Sequence, residues 1–416
     1  MTLKKESMSP REPIPHGLFP VLDHELHVGG ASLTDLAARV GRTPFYAYDR
    51  DLLARRVREL RMVLPERVKL HYAIKANPMP ALVAYMARLV DGLDVASGQE
   101  LSVALDTGID PNHVSFAGPG KSVVELQQAT ASHILVNVES AREVRELGRI
   151  AAETGRVARV AVRVNPDFEL KSSGMKMGGG AKPFGVDAEQ VPALLEEIGR
   201  LGLRFEGFHI YSGSQNLRAE SICEAQRSAY ALARRLAEHA PAPVTVINIG
   251  GGFGIPYFPG DRALDLEPIA ANLADLAARV AVDFAAADLV IELGRYLVGE
   301  AGVYVCRVVD RKVSRGEVFL VTDGGLHHHL AASGNFGQVI RKNYPVAIGN
   351  RIGAEDVEQA TVVGPLCTPL DLLAERMRLP VAHEGDFVVV FQSGAYGLSA
   401  SPLRFLSHPA PAEVLV

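Results

Sequence analysis

The residues that could do chemistry begin at His71-Tyr72-Ala73-Ile74-Lys75-Ala76-Asn77-Pro78, where an apolar run starting at Val68 stops at a lysine and breaks into a turn. A lysine at the inner end of a buried strand is costly unless something uses it. Desolvation lowers the amine pKa and makes it a nucleophile able to form a Schiff base with a carbonyl. The structural alternative is a lysine that reaches solvent at a strand end. Further along, Asp94, Arg163, His209 and Glu292-Leu293-Gly294-Arg295 stand late in, or just after, other apolar runs. Each alone reads as a packed or solvated polar group, and their shared location is what argues for a site. Gly250-Gly251-Gly252 follows another such run. Three glycines there let backbone N–H groups close on an anion with no side chain in the way. The spacing G-x-G-x-x-G of a dinucleotide fold is absent. Arg295 and Ser212 could add charge and a hydroxyl to a phosphate site.

These residues need a frame that brings strand ends together. From about residue 45 strands alternate with helices: Val68–Ile74, Gly92–Ala96, His113–Ala117, Ile134–Val138, Arg159–Val164, Arg204–Tyr211, Val244–Ile249 and Asp288–Leu293 are short apolar or β-branched runs. Between most of them lie amphipathic stretches such as Pro80–Val90, Ser140–Thr154 and Leu217–Glu238. Periodicity alone leaves an open doubly wound sheet standing; the count of eight favours a (β/α)8 TIM barrel, whose chemistry sits at the carboxyl ends of its strands. The glycine-rich stretch from Asp167 to Asp187 is too long for a mere connector and is expected to cover the site. After about residue 298 short extended runs separated by turns predict an all-β domain. The expected fold class is therefore α/β plus all-β: a flexible lead-in over 1–17, an N-terminal segment over 18–45 joining the β domain, a barrel over 46–298 and a C-terminal β domain over 299–416.

Composition narrows the class. The 416 residues suffice for one large domain and a smaller one, each with its own core. A net charge of -5 with no basic run argues against a nucleic-acid partner. The three cysteines, Cys223, Cys306 and Cys367, are too scattered for a disulfide framework or a zinc site and suit a reducing, cytoplasmic setting. No apolar run approaches transmembrane length, and neither a signal peptide nor a membrane partner is expected. The adjacent His327, His328 and His329 do not predict a metal, because successive residues on a strand point to opposite faces; one or two are expected to line a substrate pocket.

A lysine, a phosphate pocket and an acidic residue at a strand end together describe a pyridoxal 5'-phosphate site. The stretches Tyr72-Ala73-Ile74-Lys75-Ala76-Asn77, His209-Ile210-Tyr211-Ser212-Gly213-Ser214-Gln215, Gly250-Gly251-Gly252-Phe253-Gly254, Glu292-Leu293-Gly294-Arg295, Gly364-Pro365-Leu366-Cys367 and Gly394-Ala395-Tyr396-Gly397 resemble, in order, the fold-type III pyridoxal phosphate decarboxylases of diaminopimelate, ornithine and arginine. The resemblance implies an alanine racemase-like fold, paired as a homodimer with shared sites. It implies that Lys75 holds the cofactor as a Schiff base, that Glu292 pairs with the pyridinium nitrogen and that His209 stacks on the ring. Ser212, Gly250, Gly251, Gly252, Gly294, Arg295 and Tyr396 would hold the phosphate, and Asp94 and Arg163 would orient lysine and ring. Cys367 would reach the partner subunit's site and reprotonate the product; taken alone it reads as a small buried hydrophobe.

Departures from the pattern bear on substrate. Where diaminopimelate decarboxylases carry a glutamate after the cysteine, here Cys367 is followed by Thr368-Pro369, with Asp371 further on. Asp323-Gly324-Gly325 leads into Leu326-His327-His328-His329 instead of an Arg-Pro stretch. These features resemble a subgroup that includes decarboxylases of glutamate tethered to an acyl carrier protein and decarboxylases associated with exosortase gene clusters. The implied substrate is an amino acid, with a carrier-bound far end one form and a free diamino acid the other; His328, Thr368 and Asp371 are candidate substrate contacts. A racemase is disfavoured by Glu292, and a non-catalytic pyridoxal phosphate-binding protein by the β domain with Cys367 and Tyr396.

Overall fold

The computed structural model describes residues 15–168, 175–176, 178–258, 260–336, 338 and 341–416. Most of the expected lead-in and the middle of the Asp167–Asp187 stretch lie outside them. Eight parallel strands are present: β1 Val68–Ala73, β2 Gly92–Val95, β3 Val114–Phe116, β4 Leu135–Val138, β5 Arg159–Asn165, β6 Arg204–His209, β7 Val246–Gly251 and β8 Asp288–Leu293. Each pairs with the next in sequence, and β8 pairs with β1, so the sheet closes on itself as a barrel. The strands read as near-continuous apolar runs because helices cover them outside and side chains fill them inside; Leu70, Tyr72, Val160, Val162, Phe208, Ile247 and Ile291 are all buried.

The surrounding helices begin where the sequence supplies a cap. Ser97 accepts a hydrogen bond from the Glu100 amide, Ser140 from that of Glu143, and Ser122 and Glu125 form a reciprocal capping box. Gly155 ends the helix Ala141–Thr154 in the left-handed conformation at φ 71°. These caps sit on the loops leaving β2, β3 and β4, so they also set the rim on which the site is built.

Beyond the barrel, the long strand Gly302–Ser314 organises the β domain. It pairs antiparallel with Glu317–Thr322 and with Phe387–Val390, and Glu317–Thr322 runs parallel to Val357–Val363. The strand that the N-terminal segment adds to this sheet is Phe45–Tyr48, between Gly302–Ser314 and the last strand, Ala412–Leu415. The earlier extended stretch from Leu18 to Val28 instead forms part of a small three-stranded sheet with Ala31–Ser32. Its Leu26 and Val28 pack on Val303, Val305 and Val389, so it covers the β domain's face without extending its sheet.

Barrel and β domain meet at the turn that carries Lys75. The Asn77 side-chain amide donates to the Gly394 carbonyl at 3.0 Å, and the Tyr396 amide donates to the Ala76 carbonyl at 2.8 Å. The segment carrying Tyr396 is thus hydrogen-bonded to the residue next to Lys75. Among the described residues no helix is long and apolar enough to cross a membrane.

Candidate active site

Every barrel strand contributes one buried or nearly buried polar side chain to a belt near its carboxyl end: His71, Asp94, Ser115, Asn137, Arg163, His209, Asn248 and Glu292. In the strand register His71 is opposite Glu292, Asp94 is opposite Ser115, and His209 lies between Arg163 and Asn248. Buried polar groups demand partners, and the belt is stitched accordingly. Asp94 Oδ1 accepts from Ser115 Oγ at 2.6 Å and from His71 Nδ1 at 3.0 Å, and Asn137 Nδ2 donates to Ser115 Oγ at 3.1 Å. Asn248 Nδ2 donates to Glu292 Oε2 at 3.2 Å, and His209 Nε2 lies 3.1 Å from the same oxygen.

Lys75 follows β1 on a short 3-10 turn, Ile74–Ala76. Its ammonium stands 5.5 Å from the centre of the Tyr211 ring. Desolvation is the largest influence on it and pulls the pKa down. The Glu292 carboxylate, with Tyr396 and Tyr211, outweighs that pull and the net direction is upward. The lowered amine pKa expected from burial alone is therefore overturned: a carboxylate within the same belt keeps Lys75 charged. Lys75 keeps an exposed surface, so solvent or a ligand can reach its amine.

Glu292 is the opposite case. Burial pushes its pKa up, but His209, Lys75 and Arg163 together hold it below the usual carboxylate range. Its lowered pKa keeps it an ionised carboxylate at neutral pH.

Arg163 is positioned by a residue the sequence reading did not single out. Its Nη1 donates to Glu139 Oε1 at 2.7 Å, and its guanidinium lies over the Phe184 ring at 5.2 Å. Glu139 also accepts from the Gly118 amide at 2.5 Å and the Gly185 amide at 3.0 Å, joining the loops after β3, β4 and β5. Burial raises its pKa, but Arg163 and Lys121 outweigh this and the net direction is down. The signal was available, since Glu139 follows β4 as Lys75 follows β1, but it also precedes a Ser N-cap and reads as part of a helix start.

The glycine run approaches backbone on both sides. A Cβ on Gly251 would overlap the Glu292 carbonyl oxygen, and one on Gly252 would overlap that of Gly213. Gly250 and Gly252 take φ values of 70° and 76°, which side-chain-bearing residues rarely adopt. Gly251→Ala is expected to destabilise the fold by about 2 kcal/mol or more, because the Glu292 backbone must move. Urea denaturation checks this, and a midpoint equal to that of the parent protein would refute it.

Arg295 begins the short helix after β8, and Gly294 before it packs on Ala76 too closely for a side chain. Arg295 Nη1 donates to the Tyr257 hydroxyl at 2.8 Å, and the guanidinium lies 4.6 Å from the Tyr396 ring centre. Desolvation lowers its pKa, but Tyr257 and Tyr396 outweigh it, so it stays charged. Ser212 is buried in the loop after β6, and Gly213–Ser214 pairs with Met175–Lys176 from the stretch after β5. That stretch does reach across to the Ser212 loop.

Pyridoxal phosphate can be tested against these groups. Arg295 Nε, Asp94 Oδ2 and His209 Nδ1 are buried without a hydrogen-bond partner, which is costly unless a ligand answers them. A fixed cation beside a glycine-lined loop suits a phosphate, and an ionised buried carboxylate suits a pyridinium N–H. The residues fit the cofactor. A hollow of about 330 Å³ lies between Glu66, Lys69, Val280 and Asp288, at the amino ends of β1 and β8. It is remote from these groups and carries none of this chemistry.

Three expected substrate residues lie in the β domain. Asp371 is buried, and its two oxygens accept from the Leu326 and Leu366 amides at 2.6 and 2.9 Å. It clasps two loops, with a backbone amide on each oxygen. His328 is equally committed, between the Tyr304 hydroxyl at 3.1 Å and the Pro409 carbonyl at 2.9 Å. The histidines occupy a turn and not a strand, because Asp371 captures the Leu326 amide and both the His328 and His329 amides turn back to the Gly325 carbonyl. Thr368 is half-buried and Cys367 exposed, in the loop between Val357–Val363 and Leu372–Pro380. Among the described residues no group of three or more His, Cys, Asp or Glu side chains could hold a metal ion.

A closed barrel with a lysine, an ionised acid and a glycine-lined cationic pocket at its strand ends is the frame of the pyridoxal-dependent decarboxylases, and residues 50–299 match the family described as "Pyridoxal-dependent decarboxylase, pyridoxal binding domain". The chain belongs to that family and is a pyridoxal phosphate-dependent amino-acid decarboxylase. Among individual relatives it is 38% identical to the L-glutamyl-[BtrI acyl-carrier protein] decarboxylase of Niallia circulans, covering 94% of this chain and 92% of that protein. The diaminopimelate decarboxylase of Aquifex aeolicus is 34% identical, over 95% and 91% of the two chains. The structure of Helicobacter pylori diaminopimelate decarboxylase complexed with L-lysine superposes with a TM-score of 0.80 at 26% identity, covering 92% of this chain and 94% of that one.

Proposed function

We propose that this enzyme decarboxylates an amino acid whose far end is tethered to an acyl carrier protein. The observation that carries this reading is the commitment of Asp371. It is the one acid in Cys367-Thr368-Pro369-Leu370-Asp371, and both its oxygens are spent on backbone amides. The loop therefore offers no carboxylate to a free distal ammonium. A thioester end needs none. The relative that acts on carrier-bound glutamate supports the same reading.

In this proposal Lys75 would bind the cofactor covalently, Glu292 would hold a proton on the ring nitrogen, and His209 would pack on the ring. Arg295, Ser212, Tyr396 and the amides of Gly250, Gly251 and Gly252 hold the phosphate, while Asp94 and Arg163 orient the reacting end. Once bound, pyridoxal phosphate supplies the electron sink for loss of carbon dioxide. The protein supplies orientation and fixed charge. Cys367, exposed on the β domain, is assigned to the site of a second copy in a homodimer, and the assembly to the cytoplasm.

The test is carbon dioxide release against two substrate panels. One holds free lysine, ornithine, arginine, diaminopimelate and glutamate; the other holds the same acids on an acyl carrier protein. Release from carrier-bound substrate alone is the expected result. Fast turnover of a free diamino acid would overturn it.

A further inference from the structure

His71 has no part in the roles assigned above, yet it occupies a built position within the belt. It stands on β1 four residues before Lys75, with a side chain only 12% exposed. Gly92 on β2 leaves the room for its ring: a Cβ there would overlap His71 Nε2 and Cε1. On one side its register partner is Glu292, and on the other Asp94 receives its Nδ1–H at 3.0 Å. Asp94 Oδ1 also takes the Ser115 hydroxyl, whereas Oδ2 is buried with no partner at all. A carboxylate pinned through one oxygen by two donors has a single orientation. Its other oxygen is left for a proton delivered from the site, and Asp94 is opposite Ala73, two residues before Lys75.

We propose that His71 is a positioning residue of this site, a ring wedged between Asp94 and Glu292 that aims the unspent oxygen of Asp94 and balances the negative charge these two acids present to Lys75 and the cofactor. The proposal rests on the reading of this belt as the pyridoxal phosphate site. The groups facing His71 are Asp94 from β2, Glu292 from β8 and Asp91 from the turn before β2; Asp91 is itself paired with Arg61 at 2.5 Å, and β3 offers only the Ser115 hydroxyl. Burial alone would push the imidazole pKa down. The three acids, Asp94 first, reverse this and the net direction is upward. His71 therefore holds its second proton to higher pH than a free histidine, and it surrenders that advantage as pH rises.

The decisive experiment is titration of ¹³Cε1-histidine-labelled, cofactor-loaded protein by NMR. His71 is assigned by loss of its signal in His71→Asn. We expect His71 to titrate above about 6.5, and Asp94→Asn to lower that value by about one pH unit or more. A His71 that titrates at the ordinary value, or ignores Asp94→Asn, overturns the proposal. Should Asp94→Asn not fold, Ser115→Ala provides the second perturbation, since it removes the competing donor and is expected to strengthen the His71 bond and raise its titration point. The functional arm compares His71→Phe, which fills the space without a donor, with His71→Asn, which restores one. His71→Phe is expected to lower kcat roughly tenfold with KM within about twofold, and His71→Asn to recover part of the loss. Equal kcat and an unchanged pH profile in His71→Phe refute the role. If no decarboxylation is found with any substrate, the titration and the pH dependence of the bound cofactor's absorbance still decide the matter for His71.

Discussion

Lys75→Ala is expected to lower decarboxylation by on the order of 10⁴-fold while leaving the fold intact. Lys75 is a primary amine on the rim, held charged chiefly by Glu292 and standing 5.5 Å from the centre of the Tyr211 ring. Its removal takes away covalent anchoring and a cation together. Stability should change by about 1 kcal/mol or less, because His209 and Asn248 remain on Glu292. Lys75→Arg separates the two losses, keeping the charge without a nucleophilic amine; it is expected to be equally inactive. Borohydride reduction of the cofactor-loaded protein followed by peptide mapping checks the assignment directly. Retention of a tenth of the parent rate in Lys75→Ala, or labelling at another lysine, would remove Lys75 from the role.

Acid should unfold the β domain well before it touches the barrel's carboxylates. Burial, the dominant cause, depresses the pKa of His327 to about 3, His328 to about 4 and His329 to about 3. The sign follows from linkage: a histidine kept neutral by the fold binds more protons when unfolded, so stability is full above about pH 6.5 and falls as pH drops below it. Each such histidine costs about 1.4 kcal/mol per pH unit in that window. At pH 5 three would cost roughly 6 kcal/mol, comparable with the whole stability of many domains. Glu292, whose pKa is lowered, acts only below the unfolded carboxylate range, and His71, whose pKa is raised, acts in the opposite sense at higher pH. Calorimetric melting at fixed cofactor concentration from pH 8 to pH 4.5 is the measurement. His327→Phe should raise the acid limb without loss at neutral pH, because neither His327 nitrogen has a hydrogen-bond partner. A melting temperature flat down to pH 4.5 would refute the account.

The barrel was legible because its signal is local and repeated: apolar runs end near a polar residue and lead into amphipathic stretches, with serine caps after β2, β3 and β4. Lys75, His209 and Glu292 were legible for the same reason, since strand ends converge in a closed barrel whatever their separation along the chain. The β domain resisted where placement depends on contacts made far away. Asp371 next to Cys367 reads as a substrate acid until the amides of Leu326 and Leu366 are seen to consume it. The three histidines read as a strand until Asp371 and the Gly325 carbonyl turn them. The direction of the Lys75 pKa was misjudged because burial can be inferred from a run of apolar residues, whereas the proximity of Glu292, 217 positions later in the sequence, cannot. His71 was in view, but nothing local distinguishes a histidine inside an apolar run from a packed one until Gly92 and Asp94 stand beside it.

The interleaving of Phe45–Tyr48 between Gly302–Ser314 and Ala412–Leu415 dictates an order of events on the ribosome. All eight barrel strands are synthesised before either of the strands that will flank Phe45–Tyr48. That early segment must wait, its four residues destined for full burial, until Ala412–Leu415 emerge to close its second edge. Chain elongation at about 5–20 residues per second leaves that second edge open for roughly 20 to 70 seconds. The barrel can assemble from neighbours in sequence, whereas the β sheet is completed only once Ala412–Leu415 has been made, as a strongly non-local step.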